Sequence, residues 1–578
     1  MARKIKSRLR ITGTLAAETP LHIGGYGDSP DTDLPLALNG KGDWYAPGTS
    51  IAGVLRSWCE KHFGHVEIEK DKSLVKDIFG FQDGDKGQAS FMLIEDAIVT
   101  LPEGLTIENR DGVGIDRFYG TAADKAKFDR AILPRGTKLD FGMTVEIGDD
   151  HSSKRSKAVV RYILEALTKS RIRFGGAKTR GFGRVKLKNC KVKEEDFNDF
   201  DAMIRLLKDE NAAKPFATWL AEFESSLSEA EKKEFKGLKA EQPQLLVEIS
   251  WRPRLPVMVK AGYDGIGVDI LPLTSGVDND KLALCLPGSS IKGVLRSQAE
   301  RIMRTMLGDC NRTRGEKFND QIDSIPLVEE LFGSRGKATG ETENDRNNKR
   351  CRSNPKAKLG LGALTIDDCY SKETMNAELW RKVEVARDDK PKEKAKKSDQ
   401  DQKEYRNERG EVSYFKRELW KYLREIDEGS SDLSDVDYAK ETDRFKIDHH
   451  VAIDRWTGGA SEGALYSVLA PENVHWEPMH LTLDFNRLSG HSQLPALMLL
   501  LLTLRDVAED RLPFGFATNR GMGEILVDKI RIEGGALNVS LKPLENFETD
   551  GKFVELHATL KDKLRTEWES WLKTNQIS

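Results

Sequence analysis

Near the start of the chain Leu9, Ile11, Gly13 and Leu15 alternate with Arg8, Arg10, Thr12 and Thr14. A period of two predicts a strand with one face buried. Farther on, Ile291, Val294, Leu295, Ala299, Ile302, Met303 and Met306 recur at intervals of three and four, which is the apolar stripe of a helix. Read this way, the first half gives a strand, a helix from about Ser50, strands near 91–99 and 139–147, a helix over 157–169 and a closing strand from Gly183. The second half repeats the order, with strands at 245–250, 362–369, 480–485 and 524–532 and helices from Ser290 and across 494–508.

The order β-α-β-β-α-β, met twice, predicts an α+β chain of two tandem ferredoxin-like (RRM-like) modules, each an antiparallel sheet with two helices on one face. The letters repeat as well as the pattern. PLHIGGYGDSPDTDLPL (20–36) and PGTSIAGVLRS (47–57) answer to LPVMVKAGYDGIGVDILPL (255–273) and PGSSIKGVLRS (287–297). Next come IFG and LFG turns (78–80, 331–333), LIEDA and TIDDC (93–97, 365–369), GIDRFYG and AIDRWTG (114–120, 452–458), and finally TRGFGRV and NRGMGEI (179–185, 519–525). Blocks in one shared order mark a duplication. The reading divides the chain into modules 1–199 and 244–540, a charged linker 200–243, a charged insertion 371–446 in the second copy, and a polar tail 541–578 with one helix. Within the insertion, 388–409 lacks Val, Ile, Leu, Met, Phe and Trp and cannot build a core. RELWKYLREI (417–426) reads as a short amphipathic helix.

A net charge of −3 argues against a bulk polyanion binder, but the charge is patterned. Residues 169–188 carry eight Lys or Arg and no acid. The six cysteines form no CxxC pair, so free thiols in a reducing compartment are expected. The longest apolar run, LPALMLLLLTL (494–504), is too short to cross a bilayer, and the N-terminus lacks the apolar stretch of a signal peptide. The expectation is a cytoplasmic protein without membrane partners.

Two loops offer chemistry. Pro-Gly before each first helix suggests an open helix N-terminus, capped by Ser289 or Ser290 in the second copy, whose N–H groups suit a phosphate; an ordinary N-cap is the alternative. FGGAKTRGFGRV (174–185) joins backbone freedom at Gly175, Gly176, Gly181 and Gly183 to charge at Lys178, Arg180 and Arg184, as a polyanion site requires. Its second copy keeps Arg520 but has Phe516, Thr518 and Glu524 in place of Gly176, Lys178 and Arg184, which predicts a weaker grip. Neither loop has the spacing of a mononucleotide-binding motif.

Taken together, the HIGG segment, the Asp-x-Pro step, PGTS or PGSS followed by GVLRS, the Ile-Asp-Arg signature and the closing glycine loop resemble the RAMP-superfamily backbone subunits of type III CRISPR effector complexes. The tandem arrangement is similar to the double-backbone subunits of type III-D systems. The resemblance implies a prokaryotic subunit that binds a guide (CRISPR) RNA and a complementary target RNA beside other RAMP-like subunits and a large signalling subunit. It implies a β-hairpin thumb at each Ile-Asp-Arg segment, where Arg117, Phe118, Tyr119, Arg455 and Trp456 would meet bases by stacking and charge. Ser50, Arg56, Ser290, Lys292 and Arg296 on the first helices join the RNA-binding set. In catalytic members an Asp ahead of the Pro-Gly helix cuts the target with a divalent metal, Mg2+ or Mn2+. Asp33 of DLPL fits that position and Asp269 of DILPL is its counterpart, each also a weak metal ligand, with Asp28, Asp31 and Asp264 as nearby substitutes. A turn-capping role for each aspartate stays open.

The implied reaction is attack of the target 2′-hydroxyl on the adjacent phosphodiester. A non-catalytic RNA scaffold is the rival expectation. His449, His450 and His22 do not recur between the copies, and with Cys310, Cys351 or Cys369 they lack regular zinc spacing.

Overall fold

The computed structural model describes the chain except residues 1–4, 26–31, 70–71, 149–151, 198–199, 209–211, 241–242, 309–317, 319–320, 322–324, 335–359, 386–410, 429–442, 536–540, 552, 554 and 576–578. Asp28, Asp31, Cys310, Cys351 and most of the charged stretch 388–409 lie outside the described residues.

The alternating segment forms β1 (Ser7–Ala17), with Leu9, Ile11 and Leu15 buried and Arg8 and Arg10 toward solvent. It lies between β4 (Val185–Asp196) and β3 (Lys138–Ile147), and β3 pairs in turn with β2 (Ala97–Thr100), all antiparallel. The resulting order is β4-β1-β3-β2. Two helices, α1 (Gly48–Phe63) and α2 (Ser152–Thr168), bury Ile51, Leu55, Phe63, Val160, Ile163 and Leu167 in the same core as β1. The second module repeats this with β5 (Gln244–Pro253), β6 (Leu364–Ile366), β7 (Met479–Asp484) and β8 (Ile525–Gly535) in the order β8-β5-β7-β6. Its helices are α3 (Gly288–Leu307) and α4 (Gln493–Ala508).

Segments read as linker, insertion and tail pack more than their composition suggested. In 200–243, Trp219 joins the first core, while Phe223, Leu227 and Phe235 close over Ala158 of α2. Helix Glu411–Glu428 buries Leu419, Trp420, Leu423 and Ile426 in the second core, so it docks on its own module. The tail helix, α5 (Ala558–Asn575), buries Leu560, Leu564, Trp568, Trp571 and Leu572 there as well. Its apolar stripe was hidden among Lys, Asp and Glu on the other faces.

Each Ile-Asp-Arg segment turns the tip of a β-hairpin. The first hairpin pairs Gly112–Ile115 with Ala122–Phe128, the second Phe445–Ile453 with Ala460–Pro471. Asp116 Oδ1 accepts from the N–H of Phe118 and Tyr119 at 2.8 and 2.9 Å, and Asp454 Oδ1 from those of Trp456 and Thr457 at 2.9 and 2.8 Å. The aspartate of the signature is therefore a turn residue. Gly120 and Gly458, with φ of +68° and +69°, complete the two tips in a conformation that favours glycine.

Candidate nucleic-acid interface

The two modules differ at the glycine loops. In both, the loop is bonded to the segment before it: the N–H of Gly176 donates to His22 O at 2.7 Å, and that of Phe516 to Met258 O at 2.7 Å. A side chain on Gly175 or Gly515 would collide with that same carbonyl, at 2.2 Å in each case. Around the first loop lies a cavity of about 460 Å³ with an apolar floor of Leu15, Ile51, Phe174 and Val185 and a rim of Thr49, Ser50, Ser57, Gly176 and Lys178. Around the second, Phe516 stands where Gly176 stands and packs with Met258, Ile270, Val468 and Met522.

Lys178 and Arg180 project from this first loop, and no side-chain hydrogen bond or ion pair holds either among the described residues. Burial lowers the pKa of both, and neighbouring cations push the same way: Arg487 and Lys61 on Lys178, Arg296 on Arg180. The neighbours are themselves paired, Lys61 and Arg487 with Asp484 and Arg296 with Glu300, so Lys178 and Arg180 are the cations of this cluster left for another partner. Arg520, the second-loop counterpart, lies over the Tyr466 ring and donates to its hydroxyl.

Other cations of the predicted set have partners inside the protein. Lys292 is buried, its ammonium donating to Thr179 O and Leu364 O, and burial drives its pKa well down. Arg117 and Arg296 converge on Glu300, at 2.8 Å each. Arg184 bridges Asp367 at 2.9 Å and Glu18 at 3.2 Å. Arg56 lies 4.0 Å from Glu60. The pairs Arg56–Glu60 and Arg296–Glu300 are one helical turn apart and were open to a local reading, whereas the partners of Arg117, Arg184 and Lys292 lie in the other module or far along the chain. The aromatic tips are turned outward: Phe118 is 52 % exposed and Trp456 96 %, with Arg455 exposed beside it.

The helix N-termini are not open. Each helix starts at the glycine after Pro47 or Pro287, so Ser289 and Ser290 lie inside the helix rather than capping it. The first N–H is taken by a carboxylate: Gly48 N donates to Asp96 Oδ1 at 2.7 Å and Gly288 N to Asp368 Oδ1 at 2.8 Å. A fixed negative charge at that end opposes a phosphate there. Ser50 instead lines the cavity, and Ser290 is partly exposed on α3.

The two candidate aspartates occupy one place in their modules. Asp33 Oδ2 accepts from the N–H of Asp129 at 2.9 Å, while Asp33 N donates to Asp129 Oδ1 at 2.6 Å. Asp269 Oδ2 accepts from the N–H and the hydroxyl of Ser467, at 2.8 and 2.9 Å. Asp129 and Ser467 stand at the same distance along the chain after Asp116 and Asp454, on the descending side of each hairpin. The longer loop of DILPL therefore leaves the second aspartate in register with the first. Asp129 and Ser467 escaped sequence reading because neither lies in a repeated block. Asp264, offered as a substitute, is buried in a strand pair with Val385.

No group of three His, Cys, Asp or Glu able to hold a metal occurs among the described residues, and no described helix is long and apolar enough to cross a membrane. Asp33 and Asp129 together offer carboxylate oxygens of the kind hard divalent cations take, with water or phosphate left to complete the set. Asp269 has a serine where Asp33 has an acid.

The model of the RAMP superfamily matches residues 14–186 and 274–525. A protein of Enterococcus italicus named CRISPR system Cms endoribonuclease Csm3 is 26 % identical over 199 residues, which cover 31 % of this chain and 89 % of that protein. One of the same name from Methanothermobacter thermautotrophicus is 25 % identical over 228 residues, 32 % of this chain and 85 % of its own. Nearly a whole relative thus corresponds to about a third of this chain. With both matched stretches sharing one strand order, one hairpin and one glycine loop, the chain belongs to the RAMP superfamily and carries its module twice in tandem.

Proposed function

We propose that this chain is a guide-RNA-binding backbone subunit of a type III CRISPR effector and cuts complementary target RNA, first at Asp33 and second at Asp269. Each module is of the ferredoxin-like kind, with the RNA lying along the glycine loop, the cavity above α1 and the hairpin. The observation that carries the reading is the cluster at the first loop, where Lys178 and Arg180 lack counter-charges beside a cavity wide enough for a nucleotide. The names of the two relatives support cleavage.

In the reaction, the 2′-oxygen of the target attacks the adjacent phosphorus and the 5′-oxygen departs, leaving a 2′,3′-cyclic phosphate and a 5′-hydroxyl. Asp33 receives or orients the 2′-hydroxyl proton, and water protonates the leaving oxygen. A free carboxylate has a pKa of about 3.9 and is a weak base, so in-line positioning supplies much of the rate. Asp33 with Asp129, and Asp269 in the second module, would hold a divalent cation, which would neutralise charge on the phosphate. The hairpin base fixes each aspartate through the bonds to Asp129 and Ser467, and the exposed aromatics at the tips splay the bases beside it.

A scaffold that holds RNA without cutting is the second reading, favoured by the structural task the hairpin bonds give each aspartate. The experiment that separates them is cleavage of a guide-matched target by the complex isolated with its own RNA. Loss of cutting with intact binding in Asp33→Ala/Asp269→Ala supports the enzyme. An unchanged product ladder leaves only the scaffold, and absence of any copurifying short RNA overturns both.

A further inference from the structure

Inside the chain the first module is docked on the second. Arg173 and Arg184 both reach Asp367, at 2.6 and 2.9 Å, and Arg110 reaches the buried Asp368 at 3.1 Å. Glu108 accepts from the Ser275 hydroxyl and the Gly276 N–H, at 2.8 and 2.6 Å. At the hairpin tip Arg117 meets Glu300.

Because the modules are copies, the first owns the same acidic face, turned outward. Glu60 on α1 holds the place of Glu300 on α3, each four residues after an arginine, Arg56 or Arg296. Glu95 and Asp96 hold the places of Asp367 and Asp368, since Asp96 and Asp368 accept from equivalent glycines and the N–H groups of Glu95 and Asp367 donate to equivalent carbonyls of Gly142 and His480. Two apolar side chains lie beside them uncovered. Trp44 and Ile98 are 39 % exposed each, whereas Tyr370, which holds the register position of Ile98 and lies under Arg135 of the first module, is 2 %. Exposed apolar surface at the equivalent of a filled interface marks a docking site.

The far side of the second module does not supply its occupant. There the ion pairs of the first module are reversed in sign. Glu18–Arg184 becomes Arg254–Glu524, with the same backbone bond between the two positions, at 2.8 and 2.9 Å. Glu108–Arg110 becomes Lys446–Asp448 in the same hairpin register. Arg173 becomes Pro513, each preceding the phenylalanine bonded to the loop glycine. A second copy docked in the internal geometry would set Asp448 against Asp96 and Glu524 against Glu95, with only Arg455 against Glu60 still matched. Arg254 and Lys446 would take the places of Glu18 and Glu108, which do not touch Asp367 or Asp368. Like charges in register exclude a partner more effectively than weak complementarity selects one.

We propose that the outer face of the first module, built on Glu60, Glu95, Asp96, Trp44 and Ile98, docks a different chain. That chain presents a module with arginines at the positions of Arg110, Arg173 and Arg184, and this chain is barred by charge from stacking on itself. The order of subunits would then be written in these few residues, whether or not either site cuts RNA.

Sedimentation velocity of the nuclease-treated full chain tests this. The wild-type protein is expected to keep the mass of one chain across the micromolar range. Asp448→Arg/Pro513→Arg/Glu524→Arg should create concentration-dependent head-to-tail association, open-ended because the contact is heterologous, and adding Glu60→Arg/Glu95→Arg should abolish it. Glu95→Arg alone, a single change on the opposite side, should also promote association by facing Glu524, which covers the case in which the triple variant fails to fold. The proposal is overturned if the wild-type chain self-associates through this face, shown by dissociation in Trp44→Glu, or if folded triple and Glu95→Arg variants both stay single.

Discussion

The main-chain N–H of Asp33 donates to the carboxylate of Asp129, and that of Asp129 donates back to the carboxylate of Asp33. This reciprocal pair ties the candidate catalytic loop to the base of the first hairpin. An amide at position 33 can still accept the bond but cannot carry the charge. Asp33→Asn is therefore expected to keep the fold and RNA affinity near wild type while removing one cut from a guide-matched target. Asp33→Ala should remove the same cut and cost about 1 kcal/mol of stability, the usual scale for one hydrogen bond. Mapping of cleavage products beside thermal melts checks both, and a full ladder from Asp33→Asn would show that the carboxylate only holds the hairpin.

Lys178 and Arg180 should behave differently. Replacing both by Ala is expected to weaken RNA binding and to reduce the slope of log K against log salt by roughly 1 to 2, as each lost phosphate contact retains a counterion. Since both stand among cations that lower their pKa, the RNA-free protein should melt no lower than wild type. An unchanged salt slope would place them away from the phosphates.

How far the sequence carried depends on the range of the interaction. Strand alternation at Leu9, Ile11 and Leu15 and the stripe from Ile291 to Met303 are local, and both appear in the structure where they were read. The correspondence of Asp33 with Asp269 was legible because the duplication supplied an internal alignment, whereas the choice of Asp33 came from the family resemblance alone. Arg117, Arg184, Lys292 and Arg296 looked like RNA contacts because charge can be read from sequence and partners cannot. Glu300 and Asp367 reach Arg117 and Arg184 from the other module; only the Arg296–Glu300 pair, one turn apart on α3, could have been read locally. Asp96 and Asp368 were visible as repeated letters, but their place at the helix N-termini depends on the return of the second strand of each sheet, which no local pattern contains.

The imidazole of His22 lies in the wall beside the first glycine loop, bonded to Ala131 O at 2.9 Å. Burial holds its pKa below the ordinary value, with Arg130 acting in the same direction against the carbonyl. The folded state thus binds fewer protons than the unfolded one, so stability should fall as pH drops below ~6.5 and level off beneath the folded pKa. His62 contributes with the same sign. His22→Met, which copies Met258 of the second module, is expected to flatten part of this dependence. Melting temperatures at pH ~5.5 and ~7.5 would reveal it, and an identical pH profile would mean that His22 does not titrate in that range.

The last prediction rests on the one acid the sites do not share. Two modules in fixed geometry should cut the target at two positions, with Asp269→Ala removing the cut that Asp33→Ala spares. The first site has Asp129 beside its aspartate and the second has Ser467, whose hydroxyl donates to Asp269 and draws off part of its charge. A second carboxylate should strengthen the hold on a divalent cation, so the first cut is expected to persist at lower metal concentration than the second. Ser467→Asp should lower the metal requirement of the second cut, and Asp129→Ser should raise that of the first, about tenfold if the change is worth ~1.4 kcal/mol. Titration of each cut against Mg2+ and Mn2+ reads the outcome. If the exchange leaves both midpoints in place, Asp129 is part of the hairpin base alone, and the two sites differ in position but not in chemistry.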